Sequence, residues 1–96
     1  MKYVILDLEW NGTFYKAWKT FFNEIIEFGA VKVDDQMRVL DTFSCVVCPQ
    51  IGRKLSGKVK RLTNITSEEL ENGIRFPKAL RQLKEFLQDA VLMTWG

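Results

Sequence analysis

The sequence predicts an α/β fold, a mixed sheet in which a three-stranded antiparallel meander is joined by one parallel strand, with helices between them. Three observations predict it. Residues 3–8 are largely apolar on both alternating faces, as in a strand covered on two sides. Two further apolar, β-branched runs, 24–33 and 37–47, are separated by Asp34 and Asp35, which suit a short turn. An amphipathic pattern after Pro77 then leads into a last apolar run at 90–95, and a helical crossover would lay that run parallel to an earlier strand.

In the first run Tyr3, Ile5 and Asp7 take one face and Val4, Leu6 and Leu8 the other. Residues 10–22 mix aromatics with Asn11, Gly12 and polar residues in no clear period, so they are expected as a loop with at most one helical turn. Gly29, inside the second run, suggests a bulge or the close packing of another backbone. After Pro49 a basic loop is expected, and then Thr66 and Glu69 have the spacing of a capping box for a short helix. Pro77 suits the first turn of the next helix, where Ala79, Leu80, Leu83, Phe86 and Leu87 recur at three- and four-residue steps. Lys78, Arg81, Lys84 and Glu85 fall mainly on its other side, so this helix should pack on the sheet.

With 96 residues, 47% hydrophobic and 27% charged, the chain holds one ordinary globular domain, residues 1–96, and not a disordered or fibrous segment. A net charge of +2 is too small for the whole surface to bind a polyanion, so any such role rests on where the charges lie. Between Gln50 and Leu62 stand Arg53, Lys54, Lys58, Lys60 and Arg61 with no acid among them. This reads as a phosphate-facing loop, although a solvated surface loop explains the charge alone as well. Cys45 and Cys48 are the only cysteines and form a C-x-x-C, but three residues apart on a strand they point to opposite faces. No other Cys and no His completes a zinc site, and two reduced thiols suit the cytosol, so a cytoplasmic location is expected. No apolar run approaches a membrane span, and no membrane partner is expected.

Asp7 and Glu9 carry the chemistry. Two apart on a strand, their side chains leave one face about 7 Å apart along it. At that spacing two carboxylates repel by roughly 2 kcal/mol at an effective dielectric constant of about 20, and a divalent cation reverses the sign. Hard oxygen ligands suit Mg²⁺ or Mn²⁺, and Mg²⁺ takes one or two protein carboxylates while leaving other positions to water and phosphate. The pair is expected at the carboxyl end of the central strand, where open α/β sheets place their ligand sites. An acidic pair alone is more often a pair of solvated turn residues, so the neighbouring segments matter.

Residues 3–12, Tyr-Val-Ile-Leu-Asp-Leu-Glu-Trp-Asn-Gly, resemble the first exonuclease motif of the DnaQ-like (DEDD) 3′→5′ exonucleases. Residues 24–31, Glu-Ile-Ile-Glu-Phe-Gly-Ala-Val, are similar to that family's second strand, and Leu62-Thr63-Asn64-Ile65-Thr66 to its L-T-x-I-T segment. Thr94-Trp95-Gly96 resembles the opening of the second exonuclease motif. The four segments occur in the family's order across essentially the whole chain, with Asn64 where the family often has Gly.

The resemblance implies a ribonuclease H-like sheet and a two-cation phosphodiester hydrolysis with Mg²⁺ or Mn²⁺, in which a His or Tyr general base takes the proton of the attacking water. Asp7 would bridge two cations and Glu9 would hold one. Backbone and side chains around Trp10, Asn11 and Gly12 would touch the 3′-terminal nucleotide of a single-stranded RNA or DNA. Leu62 and Ile65 would form an apolar wedge against the terminal bases, with ordinary core packing as the alternative. Lys60 and Arg61, in the basic loop, would meet phosphate.

The sequence has no His, its only tyrosines are Tyr3 and Tyr15, and the second-motif Asp is expected three residues beyond Gly96. The 96 residues are therefore expected to be the N-terminal half of such a domain, truncated, binding cation weakly and not hydrolysing. Bare sheet edges at 90–95 would invite a homodimer or strand exchange. Two competing readings are a nucleic-acid-binding or regulatory module that has lost catalysis, and a ribonuclease H-like endonuclease. Two repelling acids beside phosphate argue against the first, and the Leu62/Ile65 segment favours an end-trimming enzyme over the second.

Overall fold

A computed structural model of the chain describes residues 1–52 and 54–94. The elements in chain order are β1 (Tyr3–Tyr15), β2 (Thr20–Val33), β3 (Val39–Cys48), α1 (Gly57–Thr63), α2 (Ser67–Glu71), β4 (Ile74–Arg75), α3 (Phe76–Leu87) and β5 (Val91–Thr94). They form one sheet in the order β4-β3-β2-β1-β5. β1, β2 and β3 are the expected antiparallel meander, and β5 lies parallel to β1, with Tyr3 opposite Val91 and Leu6 opposite Thr94. The mixed sheet with helices is the predicted α/β fold. Trp95 and Gly96, at the expected second motif, and Arg53, in the expected basic loop, lie outside the described residues.

Four local expectations need correction. Residues 10–22 are not a loop: β1 and β2 run on as a long hairpin, with Phe14 opposite Phe21 and Tyr15 opposite Thr20. Aromatic residues on both faces hid the period of two. The basic segment is half helical, because Ser56 caps α1 by accepting the Val59 N–H, and Asn64, at φ 58°, ends it in the left-handed conformation. Asn tolerates that conformation better than most side chains do, which accounts for its standing where the resembling family often has Gly. Gly29 pairs regularly with Asp7, and the bulge falls instead at Ile26, the extra residue between the pairs Glu9/Glu27 and Trp10/Ile25. Finally, β4 adds a parallel edge beside β3, through Val47/Ile74 and Cys48/Arg75; two residues are too few to show a period.

The core lies on both faces of the sheet. On one, Val4, Leu6, Phe28, Ala30 and Val47 pack against Ala79 and Leu83 of α3. The periodicity of α3 places those two residues toward the sheet, with Pro77 in its first turn. Phe43 and Phe86 stack there with ring centroids 5.6 Å apart, and the ammonium of the buried Lys32 sits 4.7 Å from the Phe86 centroid. On the opposite face Ile26, Leu55, Ile65 and Leu70 form a second cluster under α1 and α2. The capping box expected from Thr66 and Glu69 is present at α2.

Candidate metal and nucleic-acid site

Side chains alternate along β1, and no register shift separates Asp7 from Glu9, so both leave the sheet on the face covered by α1 and α2. They do not sit at the end of β1, which continues to Tyr15. The described pairing of β5 with β1 runs from Tyr3 opposite Val91 to Leu6 opposite Thr94, one residue before Asp7. β1 is an internal strand, but the middle place in the sheet belongs to β2. Asp7 faces Gly29 across the ladder and therefore has no opposing side chain, which leaves room around its oxygens. Among the described residues neither Asp7 nor Glu9 is paired with a lysine or arginine; the ion pairs are Met1 with Asp35 and Arg38 with Asp34.

Glu27 is the residue that sequence reasoning missed. It pairs with Glu9 across β1 and β2 and so shares the face of both acids. Burial pushes its carboxyl up, and the charges of Glu9, Asp7 and Glu69 push the same way. Glu69 is held in place because its carboxylate accepts the Thr66 N–H and hydroxyl at 3.3 and 3.0 Å. Asp7, Glu9, Glu27 and Glu69 thus gather negative charge around the pair. Among the described residues no three His, Cys, Asp or Glu side chains converge as a complete metal cage. Two hard-oxygen donors with open surroundings fit an ion that draws its other ligands from water and phosphate, as Mg²⁺ does. Asp7 and Glu9 are the residues that would hold it.

The residues following the acids behave differently from expectation. Trp10 turns to the other face, where with Ile25, Val47, Cys48, Phe76 and Pro77 it lines a hollow of about 340 Å³ that does not include Asp7 or Glu9. Asn11 is only 1% exposed. Its Nδ2 donates to the Lys54 carbonyl at 3.2 Å and its Oδ1 accepts the Ser56 N–H at 3.3 Å. Its amide therefore ties the chain entering α1 to the acid-bearing strand and is not free for a nucleotide. Gly12 is exposed and pairs with Asn23. The backbone from Glu9 to Gly12, not the Trp10 and Asn11 side chains, is what lies beside the acids.

The expected wedge is divided. Leu62, in the last turn of α1, is 71% exposed, whereas Ile65 is 4% exposed inside the second core cluster. Ile65 is core packing, and Leu62 alone is presented to solvent. Lys60 and Arg61 are exposed in the last turn of α1, which complements the helix dipole as well as any ligand. The loop before α1 is fixed from β2: the Glu24 carboxylate accepts the N–H groups of Gln50, Ile51 and Gly52 at 2.8, 3.0 and 2.8 Å. Cys45 and Cys48 are free, and burial pushes the Cys45 thiol up.

Comparison with known proteins points one way. The family model RNase_T, described as Exonuclease, matches residues 4–95. The chain is 38% identical over 81 residues to the probable 3′-5′ exonuclease KapD of Bacillus subtilis (strain 168), covering 81% of this chain and 38% of that protein. It is 34% identical over 91 residues to the PolC-type DNA polymerase III of Ureaplasma parvum serovar 3, covering 95% of this chain and 6% of the polymerase. The solved nuclease domain of 3′hExo, a DEDDh family member bound to rAMP, superposes with a TM-score of 0.83 at 26% identity, over 99% of this chain and 52% of that one. The chain thus spans well under half the length of these two curated relatives.

Proposed function

The chain belongs to the RNase_T exonuclease family, and from that premise we propose that it carries the first metal-binding acids of a 3′→5′ exonuclease acting on single-stranded RNA or DNA and releasing nucleoside monophosphates. One observation carries the reading: Asp7 and Glu9 leave the same face, without a lysine or arginine partner among the described residues, and Asp7 lies opposite a glycine. Bound Mg²⁺ or Mn²⁺ would supply charge neutralisation of the phosphate and a more acidic water.

The chain's own residues have distinct tasks in this proposal. Asp7 and Glu9 hold the cation. Glu27 keeps the face electronegative, and the backbone of residues 9–12 borders the terminal nucleotide. Asn11 holds the α1 segment, with Lys60 and Arg61, at the acid-bearing strand. Leu62 is the one member of the expected wedge free to meet a base. The 96 residues hold no His and only two of the four expected acids, so by themselves they bind cation weakly and do not turn over. The two free thiols accord with a cytoplasmic setting.

Paramagnetic broadening of amide signals during a Mn²⁺ titration tests the reading. Signals from residues 6–10 and 27–29 should broaden first, and Asp7→Asn with Glu9→Gln should abolish this. Broadening confined to the Asp34/Asp35 turn would refute it. The competing reading, a nucleic-acid-binding module without catalysis, draws on the absence of a complete metal cage among the described residues. Under that reading the same double substitution strengthens oligonucleotide binding and leaves nothing for the metal to do.

A further inference from the structure

We propose that the far end of the β1–β2 hairpin, the rings of Tyr15, Trp18 and Phe22, is a stacking platform for the bases of single-stranded nucleic acid upstream of the 3′ terminus, a role that rests on the reading of Asp7 and Glu9 as the site of cleavage.

The register places the platform. The irregularity near Glu9 adds a residue to β2, not to β1, so Asp7, Glu9, Asn11, Thr13 and Tyr15 keep one face. Phe22 pairs with Thr13 and therefore joins that face. Tyr15 lies six residue steps along the strand from Glu9, about 20 Å at the usual rise. The hairpin thus carries its aromatic end away from the acids along the surface that bears them.

The rings are not core. Neither hydrophobic cluster includes them, Trp18 is 70% exposed and Tyr15 41%. They pack on one another, Tyr15 to Trp18 at 5.5 Å, Tyr15 to Phe22 at 6.1 Å and Trp18 to Phe22 at 5.6 Å between centroids. An exposed aromatic group with no interior to fill is a recognition feature more often than a packing one.

Charge decides the occupant. From Trp10 to Asn23 the sequence has two cations, Lys16 and Lys19, and no acid. Between the acids and the rings, the segment held by Asn11 carries the exposed Lys54 across the same face and leads into α1 with Lys58, Lys60 and Arg61. A strand with its 3′ end at Asp7 and Glu9 would find cations for its phosphates and flat rings for its bases, the combination that binds single strands without sequence preference. A second copy of the chain seated ring to ring would instead bring Lys16 and Lys19 against their counterparts.

Fluorescence anisotropy with a labelled oligothymidylate of about 15 nucleotides and with a dinucleotide, both in EDTA, tests the proposal on the whole chain. The longer strand should bind well and the dinucleotide poorly. Trp18→Ala and Tyr15→Ala should each weaken the longer strand about fivefold or more without changing the dinucleotide. Lys16→Glu with Lys19→Glu should weaken it and flatten its salt dependence. Should Tyr15→Ala unfold the chain, quenching of Trp18 fluorescence by the oligonucleotide in a Trp10→Phe, Trp95→Phe background reports contact directly. Equal affinity of Trp18→Ala and the parent chain, or no quenching, overturns the proposal. So does a change in sedimentation alone, which would make the tip a contact between copies. Because the assay contains no metal, failed Mn²⁺ binding with tip-dependent oligonucleotide binding would sink only the cleavage reading, and the reverse result only the platform.

Discussion

Glu27 stands directly across the ladder from Glu9, two like charges on one face of the sheet, with Asp7 beside them. Burial and then the charges of Glu9 and Asp7 raise its carboxyl above the ordinary value. An acid that is easier to protonate when folded adds stability that is complete below its unfolded pKa and is lost as pH rises through its folded pKa. Glu27→Gln should therefore stabilise the chain near neutral pH and do nothing at acid pH. Glu27 is only partly buried, so solvent screens the repulsion and the gain is at most about 0.5 kcal/mol. Thermal melts of both proteins from acid to neutral pH, starting below the ordinary carboxyl range, measure it; a gain that persists unchanged below that range would refute it.

The acid pair was legible because it depends only on alternation. Asp7 and Glu9 share a face in any strand, whatever its neighbours, and the antiparallel meander followed from the runs around them, whereas the strand that the last run joins did not. Glu27 was not legible, since its place opposite Glu9 depends on hairpin register, and the bulge at Ile26 shifts that register by one residue. The resemblance gives Trp10 and Asn11 a nucleotide contact, but Trp10, next to Glu9 on the strand, faces the opposite way, and the buried Asn11 amide is taken up by the Lys54 and Ser56 backbone. The hairpin at residues 10–22 escaped notice because no apolar-polar alternation marks a ribbon that is aromatic on both sides.

Gly73 leads into β4 where the chain passes very close to β3. A methyl group there would lie 2.8 Å from the Val46 carbonyl oxygen and 2.9 Å from the Cys48 nitrogen. Both are strand backbone, which has little room to yield. Gly73→Ala should cost about 1 to 3 kcal/mol, with β4 pushed off the sheet. Urea denaturation gives the magnitude, and loss of amide protection at Ile74 and Arg75 locates it.

Glu24 is the anchor of the segment that precedes α1. Its carboxylate gathers three consecutive N–H groups, from Gln50, Ile51 and Gly52. Glu24→Ala leaves all three to water and should cost about 1 to 2 kcal/mol, toward the low end of charged hydrogen bonds because the site is partly solvated. Hydrogen exchange should accelerate at residues 50–52 while the amides of β1 stay protected. Uniform acceleration over the sheet would mean that Glu24 holds the hairpin, not the loop.

The resemblance pairs Leu62 and Ile65 as one wedge, and the turn at Asn64 separates them. The left-handed conformation at Asn64 ends α1 and sends Ile65 inward among Ile26, Leu55 and Leu70, while Leu62 stays outside. Their alanine variants should accordingly divide two properties that a joint wedge would couple. Ile65→Ala removes buried methylenes and should cost about 2 to 4 kcal/mol, with oligonucleotide affinity unchanged at temperatures where the variant is folded. Leu62→Ala should alter stability by less than about 0.5 kcal/mol and weaken binding of the oligonucleotide end. Denaturation and anisotropy on the same two variants decide the matter. If Leu62→Ala is silent in both, no apolar wedge exists on this face, and the terminal base is held by the backbone of residues 9–12.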